Sequence, residues 1–227
     1  MKKPQFIIGD RAVDVWPEDQ AITTLDHPTI LVTRFLDTDL YHPGLVAGVL
    51  EKEREAGKNY FRGACGSKVH QVDQWGFVEA ELVHARAVEL YRRALSARQA
   101  VVDWSWASVY RQGDHCMPHS HLRANASIVY FLEPGDPDPD DPLAGSFYFA
   151  DPRLPCCCRK EAGRVTSLYH PDLEPGSMLI FPAQIVHSVN SYHGARPRIT
   201  MSWNIGGTSV PGTALPGDGD VPAAAPR

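Results

Sequence analysis

His119 and His121 stand one residue apart in the run Met117-Pro118-His119-Ser120-His121, and a third histidine, His187, and an arginine, Arg198, follow at a distance. Imidazole nitrogens suit iron, zinc, copper or nickel. On an extended segment, side chains at i and i+2 point to the same side. His119 and His121 can therefore grip one ion together, with His187 closing the site from another strand. The spacing predicts a mononuclear metal site on a β-scaffold. Which metal it is, and what Arg198 binds, decide what the protein does.

The other groups able to do chemistry carry weaker signals. His115, four residues before His119, is a spare ligand candidate. The remaining six histidines are expected at the surface or in ordinary hydrogen bonds. Of the five cysteines, Cys156, Cys157 and Cys158 are consecutive and no C-x-x-C pair occurs. Zinc sites space their cysteines by two to four residues, so the triplet is expected in an exposed or partly buried loop without a role. Cys116 and His119 have zinc-like spacing, but no matching second half is evident.

Two helices and a series of short strands must position these groups. Asp37 to Asp39 offer helix N-caps and Pro43 suits a first turn. Leu45, Val46, Val49 and Leu50 then form an apolar face that ends near Gly57. Val78, Leu82, Ala85, Val88, Tyr91 and Leu95 recur at helical spacing and predict a second helix over about 77–97. Strands are expected at 29–35, 101–110, 126–132, 146–149, 165–169, 178–181, 186–191 and 198–205. On the last, Arg198, Thr200, Ser202 and Asn204 share one face and Ile199, Met201, Trp203 and Ile205 the other. Such a strand either lines a polar pocket or faces water. The order of elements predicts an α+β domain over 1–206, an antiparallel barrel or jelly roll with N-terminal helices packed on it. The Gly-, Pro- and Ala-rich stretch 207–227 is expected to be a disordered tail.

Composition narrows the class. With 43% hydrophobic and 22% charged residues a packed core is expected. The net charge of -5 and the lack of a basic stripe argue against nucleic acid as a partner. No apolar run reaches membrane-spanning length. The N-terminus lacks a long apolar stretch and a cleavage site. The odd cysteine count speaks against a secreted disulfide framework, so a cytoplasmic location is expected.

Three segments carry a family resemblance. In 110–132, Tyr110, Gly113, His119 and His121 occupy the places of a Y-x-x-G-x-x-x-x-x-H-x-[DE] run. In 145–153 the chain reads GSFYFADPR. In 175–204, Gly176, Met178, Phe181 and Pro182 lead to His187, and eleven residues later Arg198, Ile199, Ser202 and Asn204 form an R-I-x-x-S-x-N strand. Together these resemble the double-stranded β-helix core of the iron(II)/2-oxoglutarate-dependent oxygenases, prolyl-hydroxylase-like branch, over about 104–204. The resemblance implies that His119 and His187 ligate Fe(II) and that Arg198 pairs with the distal carboxylate of 2-oxoglutarate. Ser202 and Tyr130 are candidate auxiliary donors, and Asn125 or Asn204 could orient either partner.

One departure stands out. His121 occupies the place of the carboxylate in the usual two-histidine, one-carboxylate triad. Three readings follow: His121 is a third ligand; it turns away and water, chloride or a carboxylate such as Asp114 or Asp151 takes the place; or no ion binds. The family would make this a dioxygenase that hydroxylates an unactivated carbon of an amino acid, a peptide residue or a natural-product intermediate, releasing succinate and CO2. Two other classes stay open, a cupin-type three-histidine dioxygenase that does not use 2-oxoglutarate and a non-catalytic binding module. Substrate contacts are expected on loops, at 133–141, 151–163 and around 60–75. Arg62, Lys68, Arg153, Arg159 and Arg164 could make the pocket mouth attractive to an anion, or could be solvated surface charges.

Overall fold

The strands β1 (Gln5–Ile8) and β2 (Arg11–Asp14) form a hairpin, followed by β3 (Thr23–Leu25) and β4 (His27–Arg34). Helix α1 (His42–Ala56), strand β5 (Ser67–His70) and helix α2 (Val78–Ala94) come next. The rest is β-structure: β6 (Val101–Tyr110), β7 (Cys116–His119), β8 (Ala126–Glu133), β9 (Phe147–Phe149), β10 (Ser177–Pro182), β11 (His187–Val189) and β12 (Arg198–Gly206). The computed structural model describes residues 4–25, 27–57, 66–151, 153–154, 157 and 168–206. The expected tail at 207–227, most of the expected strand at 165–169, and Cys65, Cys156 and Cys158 lie outside them.

Seven strands run in the order β3-β4-β10-β8-β12-β6-β5, and β7-β11-β9 form a smaller sheet. All the pairings are antiparallel. The two sheets face each other across one apolar cluster, in which Tyr110, Val129, Leu179 and Phe181 of the larger meet Phe147, Phe149 and Val189 of the smaller. The outer face of the larger sheet packs on the helices through Ile128, Tyr130, Met178, Ile199, Met201 and Trp203. This is the jelly roll with N-terminal helices that the element order predicts.

Strand β12 is central to the larger sheet, between β8 and β6. Its apolar residues Ile199, Met201, Trp203 and Ile205 are all 0% exposed against the helices. The Trp203 indole donates to His84 Nδ1 at 3.1 Å, which satisfies its one polar atom. Its polar face points between the sheets, where Thr200 and Ser202 line a cavity. The polar-pocket reading of this strand therefore holds.

Two local expectations need correction. None of Asp37 to Asp39 caps α1: its N-cap is Tyr41, and Pro43 lies in its first turn. The Asp37 carboxylate instead accepts two bonds from Arg86, at 3.0 and 2.6 Å. Helix α2 buries Ala80, Val83, Arg86, Ala87 and Leu90 with Leu82 and Tyr91, while Leu95 is exposed. The apolar stripe predicts a different face because Arg86 is counted as polar. Its guanidinium is buried over the Phe35 ring at 4.2 Å and also donates to the Val15 and Asp14 carbonyls, so its charge is paired and its donors are used.

Candidate metal and cosubstrate site

His119 closes β7 and His187 opens β11, and the two are direct cross-strand partners. Phe149 of β9 flanks His187 on the other side. His121 lies just past β7, where its backbone N–H donates to the Ala183 carbonyl at 2.8 Å. Their ring centroids are 4.4 Å apart for His119–His187, 5.1 Å for His119–His121 and 5.3 Å for His121–His187. One donor nitrogen from each falls within 4.8 Å of the others. Three ligands converging on one ion require that spacing.

The protonation state also suits metal binding. Burial is the main cause that holds all three imidazoles below their ordinary range, His121 down to about 4 and His187 well below 6.5. His119 Nδ1 lies 2.8 Å from the Met117 carbonyl and His187 Nδ1 2.9 Å from the Ile185 carbonyl. A carbonyl can only accept, so both rings carry their proton on Nδ1 and leave Nε2 as the lone-pair donor.

Burial also pulls His42 down to about 4. Between about pH 4 and 6.5 the unfolded chain takes up protons on His42 and His121 that the folded chain refuses, so stability rises with pH across that window. Metal-free protein is expected to lose melting temperature as pH falls through it. A melting temperature that stays flat there would contradict the burial assigned to these rings.

The carboxylates considered for the third ligand place are engaged elsewhere. Asp151 is 1% exposed; it pairs with Arg153 and accepts from the Val186 N–H at 2.9 Å. It thus holds the turn before His187. Asp114 accepts from the Arg111 N–H at 2.8 Å. Among the described residues, the group of three or more potential ligands is His119, His121 and His187, without His115.

His119 and His187 border a narrow cavity of about 30 Å³, also lined by Lys68, Trp106, Ser108, Tyr110, Thr200 and Ser202. A larger cleft of about 450 Å³ shares Phe147 and Thr200 with it and reaches Arg198. Arg198 is 5% exposed, lies over the Tyr110 ring at 5.1 Å, and its buried Nη1 has no hydrogen-bond partner among the described residues. An orphaned guanidinium nitrogen in a buried site is costly unless a ligand supplies an acceptor.

The other expected helpers divide. Ser202 lines the cavity. Asn204 is buried, and its Oδ1 accepts from Ser127 at 3.0 Å. Asn125 is exposed and is fixed through its backbone to Ile205 and Ala183. Tyr130 is a correction. It faces the helices, with its hydroxyl 2.7 Å from that of Tyr41 and 2.5 Å from His42 Nε2. Tyr130→Phe is expected to cost about 1–3 kcal/mol of stability while leaving 2-oxoglutarate affinity unchanged. Thermal melts and calorimetry read the two effects separately.

Two residues read as surface or loop are inside. Lys68 lies on β5, within the stretch expected to be a loop, with its ammonium 5.1 Å over the Trp106 ring. Cys157 is fully buried, with its thiol 3.5 Å from the Phe149 carbonyl, where an exposed or partly buried loop position is expected. Neither carries a periodic signal that sequence could have exposed. Arg153, by contrast, is committed to Asp151. Arg62, Arg159 and Arg164 lie outside the described residues.

The profile of the family described as "Putative 2OG-Fe(II) oxygenase" matches residues 104–204. The match covers the β-rich region that holds the three histidines and Arg198. The cofactor and cosubstrate of this oxygenase family are Fe(II) and 2-oxoglutarate, and its members are dioxygenases. Solved structures share the fold at low identity. A prolyl-4-hydroxylase from Pseudomonas putida is 17% identical, with a TM-score of 0.56 over 80% of this chain and 94% of that one. EctD from S. alaskensis with bound Fe is 15% identical, with a TM-score of 0.59 over 85% and 79%. A viral collagen prolyl hydroxylase from Paramecium Bursaria Chlorella virus-1, in its 2OG complex, is 10% identical, with a TM-score of 0.54 over 81% and 99%. No curated protein matches the sequence.

The residues of this chain fit the matched family's cofactor pair in chemistry. Three neutral imidazoles can hold a divalent ion, and the orphaned Arg198 Nη1 suits a carboxylate. The candidate for the third ligand place, His121, is an imidazole where the usual triad has a carboxylate. Among the described residues, no helix is long and apolar enough to cross a membrane.

Proposed function

We propose that this chain is a 2-oxoglutarate-dependent hydroxylase with a three-histidine iron site, acting on an unactivated carbon of an amino acid, peptide residue or small natural-product intermediate. The observation that carries the reading is the pairing of two features across one cavity system. His119, His121 and His187 converge at one end, and the buried, unsatisfied Arg198 Nη1 waits on the strand whose Thr200 and Ser202 line the cavity between. A cupin-type dioxygenase without 2-oxoglutarate would leave that guanidinium with no partner.

Bound Fe(II) would activate O2 and couple decarboxylation of 2-oxoglutarate, yielding succinate and CO2, to oxidation of a substrate C–H bond. The chain's own contribution is positional. The Nδ1 protons on His119 and His187 stay on backbone carbonyls, so both rings keep a fixed orientation. Arg198 would hold the distal carboxylate of the cosubstrate bidentately, with Ser202 and Thr200 as hydroxyl donors along its length. Phe147, Phe149 and Phe181 surround His187 and keep bulk water away from that side of the site. A cytoplasmic setting and a partner that is not nucleic acid complete the reading.

The test is calorimetric titration of 2-oxoglutarate into Mn(II)-loaded protein, paired with a succinate assay on the Fe(II) form. Metal-dependent binding and succinate formation are expected. Oxygen consumption that is indifferent to 2-oxoglutarate would favour the cupin-type alternative.

A further inference from the structure

We propose that Lys68 and Trp106 form a subsite that selects a substrate carrying a free carboxylate. This inference rests on the oxygenase reading above and names the substrate class for the same site. Lys68 sits on β5, an edge strand of the larger sheet, opposite Ser108 of β6. Its side chain lines the inner cavity together with His119 and His187. Its ammonium lies 5.1 Å over the face of Trp106, and the Trp106 ring is 5.9 Å from that of His121. Cation, indole and histidine thus form a row leading to the histidine cluster from the edge-strand side. Arg198 is set apart, beside Tyr110 and the larger cleft.

The sign of the site supports an anionic guest. Among the described residues, no Asp or Glu lines the inner cavity. Carboxylates of the outer cleft include Glu133 and Glu174, which face Arg196 and Arg34, and also Asp172. With three neutral imidazoles as ligands, a divalent ion keeps its whole charge. Among the described residues, Lys68 and Arg198 together with that ion outweigh one dianionic cosubstrate by two charges. A carboxylate at position 121 would have removed one of them. A positive, low-dielectric cavity concentrates anions and strengthens their hydrogen bonds. The indole face beneath Lys68 offers apolar contact to the carbon skeleton next to the acid. Amino acids and organic acids with a free carboxyl meet both demands, whereas an internal peptide residue meets only the second.

The experiment titrates matched acids and amides (benzoate with benzamide, 3-phenylpropionate with 3-phenylpropionamide) into the full chain loaded with Mn(II) and 2-oxoglutarate, read by calorimetry. The acids are expected to bind at least about tenfold more tightly. Lys68→Met should bring them to the level of the amides, and Lys68→Arg should keep the preference. Arg198→Met should weaken 2-oxoglutarate yet leave the acid preference intact. The proposal is overturned if wild type binds acids and amides equally, if no acid binds at millimolar concentration, or if the preference survives Lys68→Met with the fold intact by circular dichroism. It is also overturned if Lys68→Met weakens 2-oxoglutarate as Arg198→Met does, which would make Lys68 a cosubstrate anchor. A wild type that fails to bind 2-oxoglutarate counts against the oxygenase reading alone, because the acid–amide comparison can still be made on the Mn(II) protein.

Discussion

His187→Ala is expected to lower Fe(II) affinity by more than about 100-fold, since removing only the outer hydrogen-bond partner of a metal ligand typically costs 10–100-fold. Turnover should disappear with the metal. His187 stands opposite His119 across β7 and β11, so no neighbouring side chain can slide into its place without breaking the pairing. The same change at His121 separates the readings of that residue. A comparable loss of affinity is expected if it is a ligand. Unchanged affinity would give the third place to water or an anion. His121→Asp would install the usual carboxylate and is expected to retain the metal while lowering the positive charge of the cavity. Anaerobic metal titration followed by calorimetry measures all three variants.

Arg198→Met is expected to weaken 2-oxoglutarate by roughly 30-fold or more, because truncating one partner of a buried charge pair costs about 2–5 kcal/mol. Metal affinity should be unchanged, since Arg198 is not among the converging ligands. Arg198→Lys should recover part of the loss, as a point charge without the planar fork. The decisive measurement is the concentration of 2-oxoglutarate that half-saturates succinate formation, set beside direct binding. If both are unaltered in Arg198→Met, the guanidinium is structural and the cosubstrate anchor lies elsewhere.

Much of the site could be read before any coordinates, and the exceptions have physical causes. Strand β12 alternates polar and apolar residues without a break, so its two faces could be separated and Arg198, Thr200 and Ser202 could be placed together. Strand β8 is apolar on both faces, with Val129 turned to the cavity and Tyr130 to the helices. An unbroken apolar run carries no parity signal, and Tyr130 was accordingly assigned to the wrong side. Sequence leaves Lys68 as either a cation at a mouth or a solvated surface charge, because a lysine inside a cavity and a solvated lysine look alike there. The convergence of His119 and His121 matches the i, i+2 expectation even though His121 lies beyond the end of its strand. A backbone bond to Ala183 fixes it there instead, and that contact joins residues far apart in the chain.

Arg86 carries a lesson for large-scale mutagenesis. Its guanidinium joins α2 to Asp37, Asp14 and Val15, and removing it would take the donors from the half-buried Asp37 carboxylate and from two carbonyls. In a scan scored by cell growth or product yield, position 86 would rank beside the histidines as intolerant to replacement, although nothing places it near the cavity. Scoring abundance alongside activity would separate the two groups: variants at His119 or His187 should accumulate as folded protein, and variants at Arg86 should not. Intolerance alone would draw the boundary of the active site too wide, on the far side of the sheet.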